Sequence, residues 1–173
     1  GSGVINTVTY GGSSCTRAIG SAGGGDKGAA EIWYVNLPTN PANNNLVVTS
    51  SKAMISLSVA REVIVGLTSL VPYDTNVEKK NSDQSVDLVL DHPANGISLL
   101  GSVLWWGGSS AANCTWPVGG ATKSGQGFAA SGNEFGFSSA YYNSTTADSN
   151  RTFGTVWNGP GSPNQEVCAA SWA

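Results

Sequence analysis

The 173-residue chain has room for one domain with a real hydrophobic core and not for two comfortable ones. Charged side chains make up 11% of it, well under the roughly 25% of an ordinary globular protein, while hydrophobicity holds at 40%, which excludes a disordered chain. A net charge of −3 with eight scattered Lys and Arg excludes the basic patch that nucleic acid requires, and no run reaches the ~20 apolar residues that span a bilayer. The surface has to be built from Ser, Thr, Asn, Gly and Gln. That composition suits extracellular β-proteins and virion components, so the expected location is extracellular or on a virion surface, without membrane insertion. Composition alone carries this expectation, since no secretory signal stands out.

Gly, Asn, Ser and Pro clusters punctuate short apolar stretches along the whole chain, and no long segment shows a 3.6-residue period. The pattern predicts an all-β, jelly-roll-like antiparallel sandwich in a single domain, 1–173. Residues 4–10 alternate as a first strand, Gly11-Gly12 turns the chain, and 14–19 form the hairpin partner. A glycine-rich loop at 20–28 precedes 31–36 (EIWYVN), whose β-branched and aromatic residues favour a strand. Pro38, Pro41 and the run Asn43-Asn44-Asn45 form a loop before a strand at 46–50. Within 54–68 the alternation of Ile55, Leu57 and Val59 and the β-branched run Val63-Ile64-Val65 predict two strands or one bent strand. Residues 71–82 read as a polar connection and 85–90 as a half-exposed strand. The nearly continuous apolar stretch 97–106 reads as a central strand covered on both faces. From Gly107 to Gly132 the chain is rich in Gly, Ala and Ser, and 135–142, 152–157 and 166–172 supply the closing strands. No repeat of fixed period argues for a propeller or solenoid.

The search for chemistry yields little. The one histidine, His92, precedes Pro93 and reads as a turn residue at a strand end; no serine sits in a nucleophile elbow. Glu31, Glu62, Glu134 and Glu166 include no evident acid–base pair of the kind a glycosidase holds roughly 5 to 9 Å apart. The run 23–28 (GGGDKG) lacks the ending and following helix of a phosphate loop. The chain is therefore expected to be non-enzymatic and to need no cofactor. For a structural calcium the best oxygen donors are Asp74-Thr75-Asn76 and Asp148-Ser149-Asn150, without a dense acidic cluster. Of Cys15, Cys114 and Cys168, the last two share strand faces with Trp116 and Trp172 and read as buried small hydrophobes, with a Cys114–Cys168 disulfide as the pairing to test. Asn113, Asn143 and Asn150 each open an Asn-X-Ser/Thr sequon, so glycosylation is open at all three.

The aromatic residues are the best binding candidates. Trp105-Trp106, Trp116, Tyr141-Tyr142 and Trp157 are rings that either pack in the core, form a subunit interface or stack on a sugar. Adjacent strand residues point to opposite faces, so one ring of each adjacent pair is directed away from the core. Trp105, Trp116, Tyr142 and Trp157 are the interface or glycan candidates.

The segment Val8-Thr9-Tyr10-Gly11-Gly12, followed by Thr16-Arg17, by Glu31-Ile32-Trp33-Tyr34 and a loop at Pro38, and by 65–75 (VGLTSLVPYDT), resembles a loose family of β-sandwich modules. These occur in bacterial secreted proteins and in structural proteins of tailed phages. The resemblance covers about the first 75 residues and the final ten, which include the closing strand at 166–172. It implies a fold of turn glycines and core aromatics and brings no catalytic residues. Such modules place a strand before the TYGG hairpin that this sequence does not show, which leads to the expectation that a neighbouring subunit supplies a strand by β-addition. The expected role is a structural subunit of a virion surface (capsid decoration, fibre or tail) or of an extracellular filament, with copies of itself or other surface proteins as partners. The alternative is a carbohydrate-binding adhesion module.

Overall fold

Where β-branched and apolar residues alternate at period two, one side chain in two can be buried against a second layer, and sheets stack on that basis. The computed structural model describes residues 4–20, 29–37, 43–53, 57–106, 113–129, 134–158 and 164–173, and these contain thirteen strands and no helix. The centre is a sandwich. One wall is a five-stranded antiparallel sheet in the order β10 (Thr122–Ala129), β11 (Glu134–Ser144), β8 (Gly96–Trp106), β13 (Asn164–Trp172), β6 (Asp74–Lys80). The other is a three-stranded sheet in the order β7 (Ser85–His92), β12 (Asp148–Asn158), β9 (Asn113–Val118). From β6 to β9 each successive strand changes wall, and β12 and β13 do so again, which makes the sandwich jelly-roll-like.

Two smaller sheets flank this body. β3 (Thr16–Gly20) and β4 (Glu31–Tyr34) form a hairpin that lies on the outer face of the five-stranded sheet over β13. There Glu166 accepts the Ala30 N–H at 2.9 Å, and Tyr34 meets Trp172 edge-on at 6.0 Å. β1 (Ile5–Tyr10) lies between β2 (Ser13–Ser14) and β5 (Leu46–Ser50) in the other.

Between the main walls lies the core: Val86, Leu88 and Leu90 of β7, Leu100 and Leu104 of β8, Cys114 and Trp116 of β9, Phe153 and Trp157 of β12, and Val167 and Ala169 of β13. A buried N–H or hydroxyl without a partner costs stability, and of the described groups between the walls Gln165 Nε2 is left without one. The partners cross between the walls. Trp157 Nε1–H donates to Ser102 Oγ at 2.9 Å, Trp116 Nε1–H to Ser138 Oγ at 3.1 Å, and Thr155 Oγ1–H to Gln165 Oε1 at 3.0 Å. His92 Nδ1 and Ser98 Oγ share a fourth such bond at 2.9 Å.

Several local expectations change. The strand covered on both faces is β13, not β8: residues 165–172 are all buried, whereas the outward residues of β8 remain half-buried. The physical reason is size, since Cys168, Ala169, Ala170 and Ser171 let layers approach from both sides. The TYGG hairpin closes only through Ser13–Ser14; the chain turns at Cys15, and Thr16–Gly20 pairs with β4 instead. Arg17 fixes that choice, lying over the Trp33 ring and within 3.9 Å of Glu31. The expected polar connection at 71–82 contains β6, an edge strand whose charged residues suit its position. Two strands, β9 and β10, occupy the Gly-, Ala- and Ser-rich stretch. Gly127 interrupts the sequence pattern of β10 because the Phe137 ring lies where its Cβ would be. Gly119 and Gly120, at φ +85° and +70°, carry the chain from β9 in one wall to β10 in the other.

The strands expected within 54–68 do not form over 57–68. Residues 54–56, the loop 21–28 and Pro38 and Pro41 lie outside the described residues.

Truncating Trp157→Ala removes the largest fully buried side chain among the described residues and leaves Ser102 without its donor. It is expected to lower unfolding stability by about 3–5 kcal/mol, read from the midpoint of urea denaturation at unchanged slope.

Candidate functional site

The four aromatic candidates separate by face. Trp157, at 0% exposure, and Trp116, at 7%, are core residues, so neither is an interface or sugar platform. Each lies on an inward row of the three-stranded wall, and each indole N–H is used on a serine opposite. Tyr142 also faces inward, at the rim of the core. Its ring meets His92 edge-on at 4.8 Å and Phe153 at 5.4 Å, and the Arg151 guanidinium lies 4.1 Å from its centre. Arg151 is itself held by Asp148 and by the Gly119 carbonyl at 2.9 Å. A ring enclosed in this way braces the end of the sandwich and has no open face for a sugar.

Trp105 alone of the four lies on the outer face of the five-stranded sheet, half-buried. Register places Phe135 directly across from it, Phe137 across from Val103, and Tyr141 across from Leu99. Between the Phe137 and Tyr141 rows runs a cross-strand row with no bulk, Gly125–Ser139–Gly101. The result is a half-buried aromatic face crossed by a row of small residues. Phe135 and Phe137 escape notice when each aromatic is judged singly; alternation around Trp105 is the signal that finds them. The Trp106 side chain lies outside what is described.

At one end of the sandwich, Asn95, Gly96, Asn143, Ser144 and Thr145 line an open depression of about 420 Å³. Asn143 is one of the three sequon asparagines, and all three are exposed. Nearby, Asp74 accepts the N–H of Thr75 at 2.8 Å and of Asp91 at 2.7 Å, and Asp91 accepts the N–H of Asn150 at 2.7 Å. The carboxylates named as calcium donors are thus engaged by backbone N–H groups and by Arg151. No group of three or more His, Cys, Asp or Glu is arranged to hold a metal among the described residues.

All three cysteines are free thiols, which corrects the Cys114–Cys168 pairing. Cys114 faces the core from β9, and Cys168 lies on the opposite, outward face of β13 against Gly101, so the five-stranded sheet separates them. Burial pushes the Cys114 thiol up to about 11, against weaker opposing effects of Ser138 and Lys123. Burial raises Cys168 further, with Glu166 adding to it. Both are unreactive at neutral pH. Glu31 and Glu166 come to the same side, under the β3–β4 hairpin, but each carboxylate is occupied. Glu31 accepts Trp33 Nε1–H at 2.7 Å, and Glu166 the Ala30 N–H.

Compared with known protein families, curated proteins and solved structures, the chain matches none.

His92 ends β7, as expected of a strand-end residue, but it is buried. Desolvation holds its pKa below the ordinary imidazole value of 6.5; the Ser144 carbonyl opposes this, Arg151 reinforces it and Asp148 opposes it. The unfolded chain therefore takes up a proton before the folded one does. Stability is expected to be intact above pH 6.5 and to fall as the pH drops below it. Urea melts across that range test this: a His92→Gln variant is expected to lose the slope, while wild type keeps it.

Proposed function

We propose that this protein is a non-enzymatic structural subunit of an extracellular assembly, a virion surface (capsid decoration, fibre or tail) or a filament, that associates through exposed apolar surface. The observation that carries the reading is the distribution of exposed large hydrophobics. The sandwich core is closed by its own apolar residues and its own inter-wall hydrogen bonds, yet Val4, Leu46, Val47 and a series between Leu57 and Tyr73 stay exposed. Apolar surface of this kind on a protein with so few charges favours association. The neutral polar composition supports an extracellular setting. The non-enzymatic reading is supported by the single imidazole, walled in by Ser98, Tyr142 and the core instead of facing a cleft.

Light scattering over a dilution series tests this reading. A large assembly that resists dilution is expected; a monomer of 17.6 kDa at every concentration overturns it.

The aromatic face around Trp105 favours a second reading, a glycan-binding adhesion module, because half-buried rings beside a row of small residues suit a sugar ring. On that reading, a Trp105→Ala variant is expected to bind about tenfold or more weakly on a glycan array while still unfolding cooperatively.

A further inference from the structure

Residues 57–67 have the sequence of a strand and the surroundings of none. Leu57, Val59, Val63 and Val65 recur at period two, and Val63-Ile64-Val65 disfavours a helix. Among the described residues, 57–67 make no backbone–backbone hydrogen bond to any other segment. What holds the segment is Arg61, whose guanidinium donates to Tyr10 Oη and lies 5.5 Å from the centre of that ring. The apolar side chains face solvent, Val63 at 74% and Val65 at 88% exposure. Val71, at 69%, and Tyr73, at 60%, continue the exposed apolar series just beyond, and exposed apolar residues gathered in one stretch mark a contact surface.

A strand without a ladder needs an edge, and the edges of this fold differ. Natural edge strands carry charges or proline that discourage pairing. β6 carries Lys79 and Lys80, β7 carries Asp87, β9 carries Pro117 and β10 carries Lys123. β5 has none of these. It reads Leu-Val-Val-Thr-Ser, is bonded among the described residues only to β1, and exposes Leu46 and Val47. Tyr10, the anchor of Arg61, pairs with Leu46 at the end of that same edge.

We infer that the segment around 57–65 of one copy adds as a strand to the β5 edge of a second copy. This rests on the structural-subunit reading and names the strand and the edge that build it. Both surfaces are uncharged and rich in β-branched residues apart from the Arg61–Glu62 pair, so backbone pairing and apolar contact favour the same addition. Donor and acceptor are different surfaces. Successive donation therefore propagates a row of subunits, and only a reciprocal exchange or a ring closes it.

Amide hydrogen exchange on the wild-type protein is the direct test. Residues 59–65 are expected to exchange at least tenfold more slowly in the assembled protein than after dilution to monomer, with Leu46–Ser50 protected alongside. Equal, fast exchange of 59–65 in an assembled sample overturns the strand addition while leaving the subunit reading standing. Monomer at all concentrations overturns both. Val63→Pro and Val47→Lys alter the donor and the acceptor at exposed positions outside the core. Each is expected to scatter as a monomer with the near-ultraviolet circular dichroism of the buried tryptophans intact, and assembly by both folded variants overturns the inference.

Discussion

The two walls of the sandwich are held in register by buried hydrogen bonds that cross between them. An indole N–H shut away from water without an acceptor costs several kcal/mol in an apolar medium, so Trp157 and Trp116 can be core residues only if the opposite wall places an oxygen against each. Ser102 and Ser138 do so, and the Thr155–Gln165 and His92–Ser98 pairs complete the set. Apolar packing alone tolerates sliding; a hydroxyl opposite an indole does not. Displacing one wall by a residue would orphan several of these groups at once. The bonds therefore specify how the sheets face each other, while Leu88, Leu90, Leu104, Phe153 and Val167 supply most of the burial that drives them together.

This arrangement bears directly on function. Because the core closes on itself, exposed apolar residues are not explained as an incomplete interior. Most of them fall in the stretch between Leu57 and Tyr73 and at Val4, Leu46 and Val47 beside the β1–β5 pair, with Val89 and Val118 exposed on the three-stranded wall; the aromatic face around Trp105 is half-buried. That face has rings beside small residues; the stretch from Leu57 has the periodicity of a strand. An assembly protein and a binding module make different use of these surfaces, and the same sandwich supports either.

Much of the fold was legible in the chain. The strands at 46–50, 85–90, 97–106, 135–142, 152–157 and 166–172 lie where alternation places them, with ends moved by a few residues. The misses have physical causes. β9 and β10 are hidden by glycines whose absent side chains make room for neighbours, as Gly127 does for Phe137, and a local reading takes such glycines for loops. β6 has a single apolar residue, Val77, because an edge strand half in water needs no more. The stretch at 57–67 errs the other way: its propensity for strand is real, but a strand exists only where another offers a ladder.

The all-β class follows from alternation at period two and turn residues between the runs, properties of the chain read one residue after another. Packing between distant strands settles which aromatics are interior, that Ser98, Ser102 and Ser138 are core acceptors and not surface hydroxyls, that β13 is the strand enclosed on both sides, and that β5 carries no charge or proline on its edge. Alternation says that neighbouring side chains point to opposite faces. It does not say which face will meet a second layer, because that depends on strands far away in sequence.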